Sequence, residues 1–119
     1  LSLKLILGKL FAIFAIIIGV PLKDASVVGA LMGTKLVLNE MVAYVNLSHI
    51  ATSIAPKSFM LASFALCSFG NFGSIAIQIG GIGELAPNQK KNLARLGLRA
   101  LICGTLSCYL SAAIVGVLL

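Results

Sequence analysis

Three long apolar stretches leave this chain few ways to fold in water. Residues 10–20 with their flanks, 58–83 and 100–119 each approach the roughly 20 residues that a helix needs to cross the hydrocarbon of a bilayer. At least three membrane elements are expected. A soluble core does not account for them, because 60% of the 119 residues are apolar, 10% are charged and the mean hydropathy is +1.11. In ordinary soluble domains about a quarter of the residues are charged.

The basic residues read as topology signals. Lys4 and Lys9 precede or enter the first span, and Lys90, Lys91, Arg95 and Arg99 fill the link between the last two. The positive-inside tendency places both groups in the cytoplasm. Nucleic-acid binding would need a clustered basic face on a water-exposed surface, so the net charge of +6 implies no nucleic-acid partner. Lys23, Lys35 and Lys57 are scattered. Cys67, Cys103 and Cys108 are odd in number and lie in apolar segments, which fits packing better than a disulfide framework. His49 stands alone and no metal-ligand spacing is present. The first residue is Leu1 and not Met, which leaves open a processed or excised segment or an unusual start codon. No small-x-small cleavage pattern marks residues 1–20 as a secretory signal.

Along the chain, residues 4–20 read as a span running outward and ended by Pro21. Residues 22–33, LKDASVVGALMG, are short, carry Lys23 and Asp24, and suit a helix lying in the membrane interface. The region 27–56 is too interrupted for two full spans. With Asn39 and Glu40 at its middle, it fits a re-entrant hairpin of two half-length helices. A hairpin that returns to its own side makes 58–83 run inward to the basic link and leaves the last span, 93–119, ending outside. The sequence FGNFGSIAIQIGGIG, residues 69–83, is too rich in glycine and polar residues for a lipid-facing helix, and it predicts a broken span whose backbone lines a cavity. Gly104, Cys108, Ala112 and Gly116 recur every four residues, as in a helix-packing seam.

Glu40 is the one acidic residue at the middle of a membrane segment, where a charge is costly and marks a functional site by default. Its neighbour Asn39 is positioned to shape the hairpin tip. Asn71, Ser74 and Gln78 follow i, i+3, i+7 spacing, which puts them on one helical face. Such a stripe suits a neutral, hydroxyl- or amide-rich solute, and it serves equally as structural glue between helices. Phe64, Phe69 and Phe72 lie close by in sequence. No nucleophile and base arrangement, phosphate-cradling loop or carboxylate pair is visible, so the sequence does not read as an enzyme.

Three segments together carry a family resemblance: GTKLVLNEMVAY (33–44), ALCSFGNFGSIAIQIGGIGELAP (65–87) and LARLGLRALICGTLS (93–107). In this order and spacing they resemble the carboxy-terminal half of concentrative nucleoside transporters, over nearly the whole chain. The resemblance implies an all-α membrane fold, the second half of an inverted-repeat transporter, with transmembrane helices, an interfacial helix and a re-entrant hairpin. It implies nucleoside uptake coupled to sodium or protons, no other cofactor, and a homotrimer in a bacterial inner membrane, with the carboxy terminus outside. Carried over by motif position, Glu40 would hydrogen-bond ribose hydroxyls, Asn71 and Ser74 would lie beside it, and Phe69 would pack near the base. Asn39 and Gln78 would support them.

One departure is large. The family's first hairpin, whose Gln-Thr-Glu motif reads the base and whose neighbourhood holds the coupling cation, has no counterpart in these residues. About half a binding site is therefore expected, with the amino-terminal transporter half as a required partner. Gly73 stands where some members carry a hydroxyl residue, a change expected to tune the pocket only slightly. The competing expectations are a small four-span exporter that works as a dimer and a truncated remnant that inserts without transporting. The exporter reading is weakened by a first span with lysines but no carboxylate, and by the lack of Trp.

Overall fold

The computed structural model describes residues 2–119, and among these every regular element is helical. The first helix, α1, covers Leu3–Ile17. Ser2 caps it by accepting the Leu5 N–H at 3.3 Å, satisfying one of the donors that every helix start leaves free. The helix stops three residues short of the expected boundary at 20. Gly19 turns the chain with φ of 105°, a conformation that side chains with a Cβ rarely adopt, and Pro21 opens the next element.

That element, α2, runs without interruption over Leu22–Val37. The interfacial helix expected over 22–33 is thus the first part of a longer helix and not a separate element. Its small residues serve packing. A Cβ on Gly29 would lie 2.5 Å from the Ala12 nitrogen and 2.6 Å from the Gly8 oxygen, and one on Gly33 would meet Leu7 at 3.0 Å. The pairing of 33 with 7, 30 with 8 and 29 with 12 shows that α2 runs antiparallel to α1 with the two backbones nearly touching. This contact needs glycine, as do close helix crossings in membranes generally.

The chain breaks at Leu38 and Asn39, and α3 follows over Glu40–His49. Helices α2 and α3 are the arms of the hairpin. At its base Asp24, 6% exposed, accepts hydrogen bonds from the Ser58 hydroxyl at 2.5 Å and the Ala55 N–H at 3.1 Å. These two bonds hold its carboxyl below the usual carboxylate range. Asp24, read in the sequence as a mark of an interfacial helix, is instead the acceptor that fastens the start of α2 to the start of α4.

Helix α4 covers Pro56–Ala65, with Pro56 in the first-turn position where its missing N–H costs nothing. Residues 66–71 are irregular, and α5 covers Phe72–Leu85. A single 3₁₀ turn, Pro87–Gln89, leads into α6, Lys90–Leu118. An exposed Glu84–Lys90 ion pair at 2.7 Å spans this corner.

The three expected membrane stretches differ in length. Among the described residues, the segment Pro87–Leu118 is the one helix long and apolar enough to cross a membrane unaided. At 1.5 Å per residue, α1 reaches about 22 Å, and 58–83 falls into two shorter helices.

The core gathers Phe11, Ala15, Val28, Met32, Leu47, Leu61, Leu66 and Ala112. Phe11, Phe14 and Tyr109 form an aromatic cluster with ring centroids 5.8–6.4 Å apart. The α6 seam is real over three of its four positions. Ala112 is fully buried, Cys108 donates to the Phe64 carbonyl at 3.1 Å, and Gly116 lies against the Ile18 carbonyl. The missing side chain of Gly104 faces open space. Of the cysteines read as packing residues, Cys108 is buried while Cys67 and Cys103 are exposed. Much of the remaining surface is apolar, including Ile13, Ile17, Ile77, Leu110 and Val117.

Candidate functional site at the junction of two helix breaks

Two interruptions, at 38–39 and 66–71, come together. Each ends in an asparagine that starts the next helix in the same way. Asn39 accepts the Val42 N–H at 3.0 Å, and Asn71 accepts the Ser74 N–H at 2.7 Å. Both are extended residues with a side chain folded back over the first turn, the usual geometry of an N-cap. The starts of α3 and α5, each carrying the positive end of its helix dipole, therefore lie at the site.

Glu40 is the first residue of α3 and carries its charge at that favourable end. Its Oε2 accepts a hydrogen bond from the Asn71 Nδ2 at 3.4 Å. Asn71 is 4% exposed and both ends of its amide are engaged, the oxygen capping α5 and the nitrogen holding Glu40. The Ser74 hydroxyl donates to the Phe69 carbonyl at 2.7 Å, which satisfies a backbone acceptor released by the break. On the other side of the junction the Lys35 ammonium, from the last turn of α2, donates to the Ser68 hydroxyl.

Beside the junction is a cavity of about 350 Å³ between the break, α5 and the first turns of α6. Its lining is mostly apolar, with Phe69, Ile75 and Ile79 from the break and α5 and Leu93, Leu96 and Leu101 on α6, and Asn71, Ser74 and Gln78 supply its polar groups. Its size lies within the usual range for small-molecule sites. The Phe69 ring is 80% exposed and free to meet a ligand.

Of the six residues singled out in the sequence, the structure brings Phe69, Asn71, Ser74 and Gln78 to one cavity and attaches Glu40 to it through Asn71. Asn39 does not line this cavity, and its side chain serves as a cap. Lys35 and Ser68 were not among the expected residues. A lysine in the middle of an apolar segment was the available signal, since an ionisable group at membrane depth is functional by default.

Half-length helices meeting around polar groups, within an apolar all-helical chain, are the arrangement from which many membrane transporters build their binding sites. The family profile described as "Na+ dependent nucleoside transporter C-terminus" matches residues 1–116, and the chain belongs to that family. It is 49% identical over 115 residues to the uncharacterized transporter YutK of Bacillus subtilis, covering 97% of this chain and 28% of that protein. It is 40% identical over 121 residues to the nucleoside permease NupC of Helicobacter pylori, covering 98% and 29%. The structure of CNTnw in an inward-facing substrate-bound state superposes with a TM-score of 0.88 at 43% identity, over 98% of this chain and 29% of that one. The chain thus spans less than a third of the length of these relatives. The family is one of transporters and not of enzymes, and membership removes the small-exporter alternative.

Proposed function

We propose that this chain is the carboxy-terminal, ribose-binding part of a nucleoside transporter driven by a sodium or proton gradient. One observation carries the reading: Glu40, at the start of the helix after one break, is hydrogen-bonded to Asn71 of the other break, and Asn71 lines a mostly apolar cavity that also holds Ser74 and Gln78. A nucleoside has both polar and apolar parts to offer such a lining. The vicinal ribose hydroxyls donate to a carboxylate, and the planar base seats against an exposed ring such as Phe69.

In this structure the 3.4 Å bond from Asn71 occupies Glu40. Ribose hydroxyls replace that long bond with shorter, charge-assisted ones. Asn71 and Ser74 then offer donors and acceptors at the edge of the sugar, and Gln78 extends the polar wall one turn further. The base-reading residues and the coupling-cation site belong to an amino-terminal transporter half. The complete protein is proposed as a homotrimer in a bacterial inner membrane, with the carboxy terminus of this chain outside and alternating access around the midplane site.

The test is a chimera in which this chain replaces the carboxy-terminal segment of the Bacillus subtilis relative. It is expressed in cells lacking nucleoside uptake, with this chain alone as the parallel sample. Saturable, gradient-dependent uptake of radiolabelled uridine by the chimera, and none by the chain alone, is the expected result. A chimera that reaches the membrane and takes up no nucleoside refutes the reading and favours a non-transporting remnant.

A further inference from the structure

The most deeply enclosed charged group is the one that the proposed nucleoside site does not use. Lys35 is 1% exposed and is among the largest fully buried side chains. Lysines near helix ends in membranes usually extend their stems to carry the ammonium to water. Lys35 does the opposite, and its ammonium ends at the Ser68 hydroxyl. Ser68 lies inside the 66–71 break, and Lys35 lies three residues before the hairpin break.

The Lys35–Ser68 bond therefore crosses the same junction as the Glu40–Asn71 bond. Each bond takes one partner from a helix end beside the hairpin break, Lys35 of α2 or Glu40 of α3, and one from the 66–71 break. The ammonium and the Glu40 carboxylate form no direct ion pair within 4.0 Å. Among the described residues that distance is reached only by Glu84 and Lys90. Glu40 is therefore not neutralised by contact with Lys35, and it keeps its acceptor oxygens for Asn71 or for a ligand.

We propose that Lys35 is a positioning residue: its ammonium clasps the hairpin turn to the unwound segment through Ser68 and so fixes the spacing between Glu40 and Asn71. The assignment of that pair to ribose rests on the function proposed above, while the clasp itself does not. A buried ammonium is a costly way to fill space, and a methionine would occupy the same volume with comparable flexibility. What Met cannot supply is the donor to Ser68 and the positive charge behind Glu40.

Two measurements test the clasp. The first is amide hydrogen exchange on this 119-residue chain in lipid nanodiscs, comparing the parent with Lys35→Met. Faster exchange confined to residues 38–42 and 68–74, with α1, α2 and α6 unchanged, is expected. Unchanged exchange in those two segments overturns the proposal. Should Lys35→Met fail to insert, Ser68→Ala removes the acceptor with little change in volume, and the same two outcomes decide.

The second is uridine uptake by the chimera. Losing one charge-assisted bond at a positioning group predicts a rise in KM of roughly tenfold for Lys35→Met, with Vmax per transporter at the surface preserved. A fall in Vmax at constant KM overturns the positioning role. Combining Lys35→Met with Ser68→Ala should raise KM no further than the first change alone, because both delete one bond; additive effects refute the pairing. If the unmodified chimera transports no nucleoside, the functional reading fails and hydrogen exchange alone decides on the clasp.

Discussion

The two helix breaks are built alike and used differently. Asn39 and Asn71 both cap the helix that follows with the same side-chain oxygen and nearly the same extended backbone. Asn39 is exposed, and the one hydrogen bond of its side chain among the described residues is the cap. Asn71 is buried and its side-chain nitrogen also donates to Glu40. The difference shows how a local device becomes a site. Capping is satisfied by the chain's own geometry, whereas a second bond from the same side chain commits the break to a partner far away in sequence.

The sharpest way to break this comparison is to remove the partner. A carboxylate accepting from hydroxyls gains about 1.5–3 kcal/mol per bond. Glu40→Ala in the chimera is therefore expected to raise the KM for uridine by at least about a hundredfold, or to abolish saturable uptake. Surface biotinylation checks that insertion is unchanged. Uptake with a normal KM removes Glu40 from the site.

The capping asparagines come next. Asn71→Ala deletes a cap, worth about 0.5–2 kcal/mol, together with the donor that holds Glu40. Uridine KM should rise roughly tenfold to a hundredfold. Asn39→Ala deletes a cap alone and should change KM by no more than about fivefold, with Asn39→Ser restoring it. Equal effects of the two alanine variants in parallel uptake curves would show that the breaks are equivalent and that the Asn71–Glu40 bond contributes nothing.

The sequence reveals the breaks better than it reveals what joins them. Glycines and uncharged polar residues in 69–83, and an Asn-Glu pair in an apolar segment, cannot be accommodated in lipid-facing helix. Interruptions are therefore expected in both regions, although the second lies at 66–71 and the glycine-rich stretch after it is the unbroken helix α5. Glu40 stands out by its position and Asn71, Ser74 and Gln78 by their spacing, which suits structural glue equally, while Phe69 is singled out only through the family resemblance. The continuity of α2 is not legible. Lys23 and Asp24 resemble interfacial residues, and the reason for the small residues after them, a backbone-close approach of Gly29 to Ala12, shows in sequence only as the four-residue spacing of Ala25, Gly29 and Gly33, which marks a packing face without naming its partner. Lys35 and Ser68 are 33 residues apart and Asp24 and Ser58 are 34 apart. Pairings over such separations are set by tertiary packing, so Lys35 looked merely scattered and Asp24 merely polar.

Asp24 sharpens the comparison from the other end of the hairpin. Two acidic residues tie the hairpin to the broken helix, Glu40 at the tip and Asp24 at the base, and only Glu40 is bonded to a residue that lines the cavity. Asp24 is expected to act on stability and not on ligand affinity. Its bonds to Ser58 and Ala55 lower the folded-state pKa, so the unfolded chain binds its proton more readily than the folded chain. The stability that Asp24 contributes is then fully present above the ordinary aspartate pKa of about 3.9. It fades as pH falls from about 5 through that value and on toward the lowered folded-state pKa.

Melting of the purified chain in detergent micelles, followed by circular dichroism, should show Tm falling over that acid range in the parent. The fall should be smaller in Asp24→Asn, which has no carboxylate there to protonate. In the chimera, Asp24→Asn should leave uridine KM within about twofold, the smallest effect of the series because the residue lies away from the ligand. A shift in KM comparable to that of Asn71→Ala would mean that the base and tip of the hairpin move as one body. The division between a structural tie and a binding tie would then have to be abandoned.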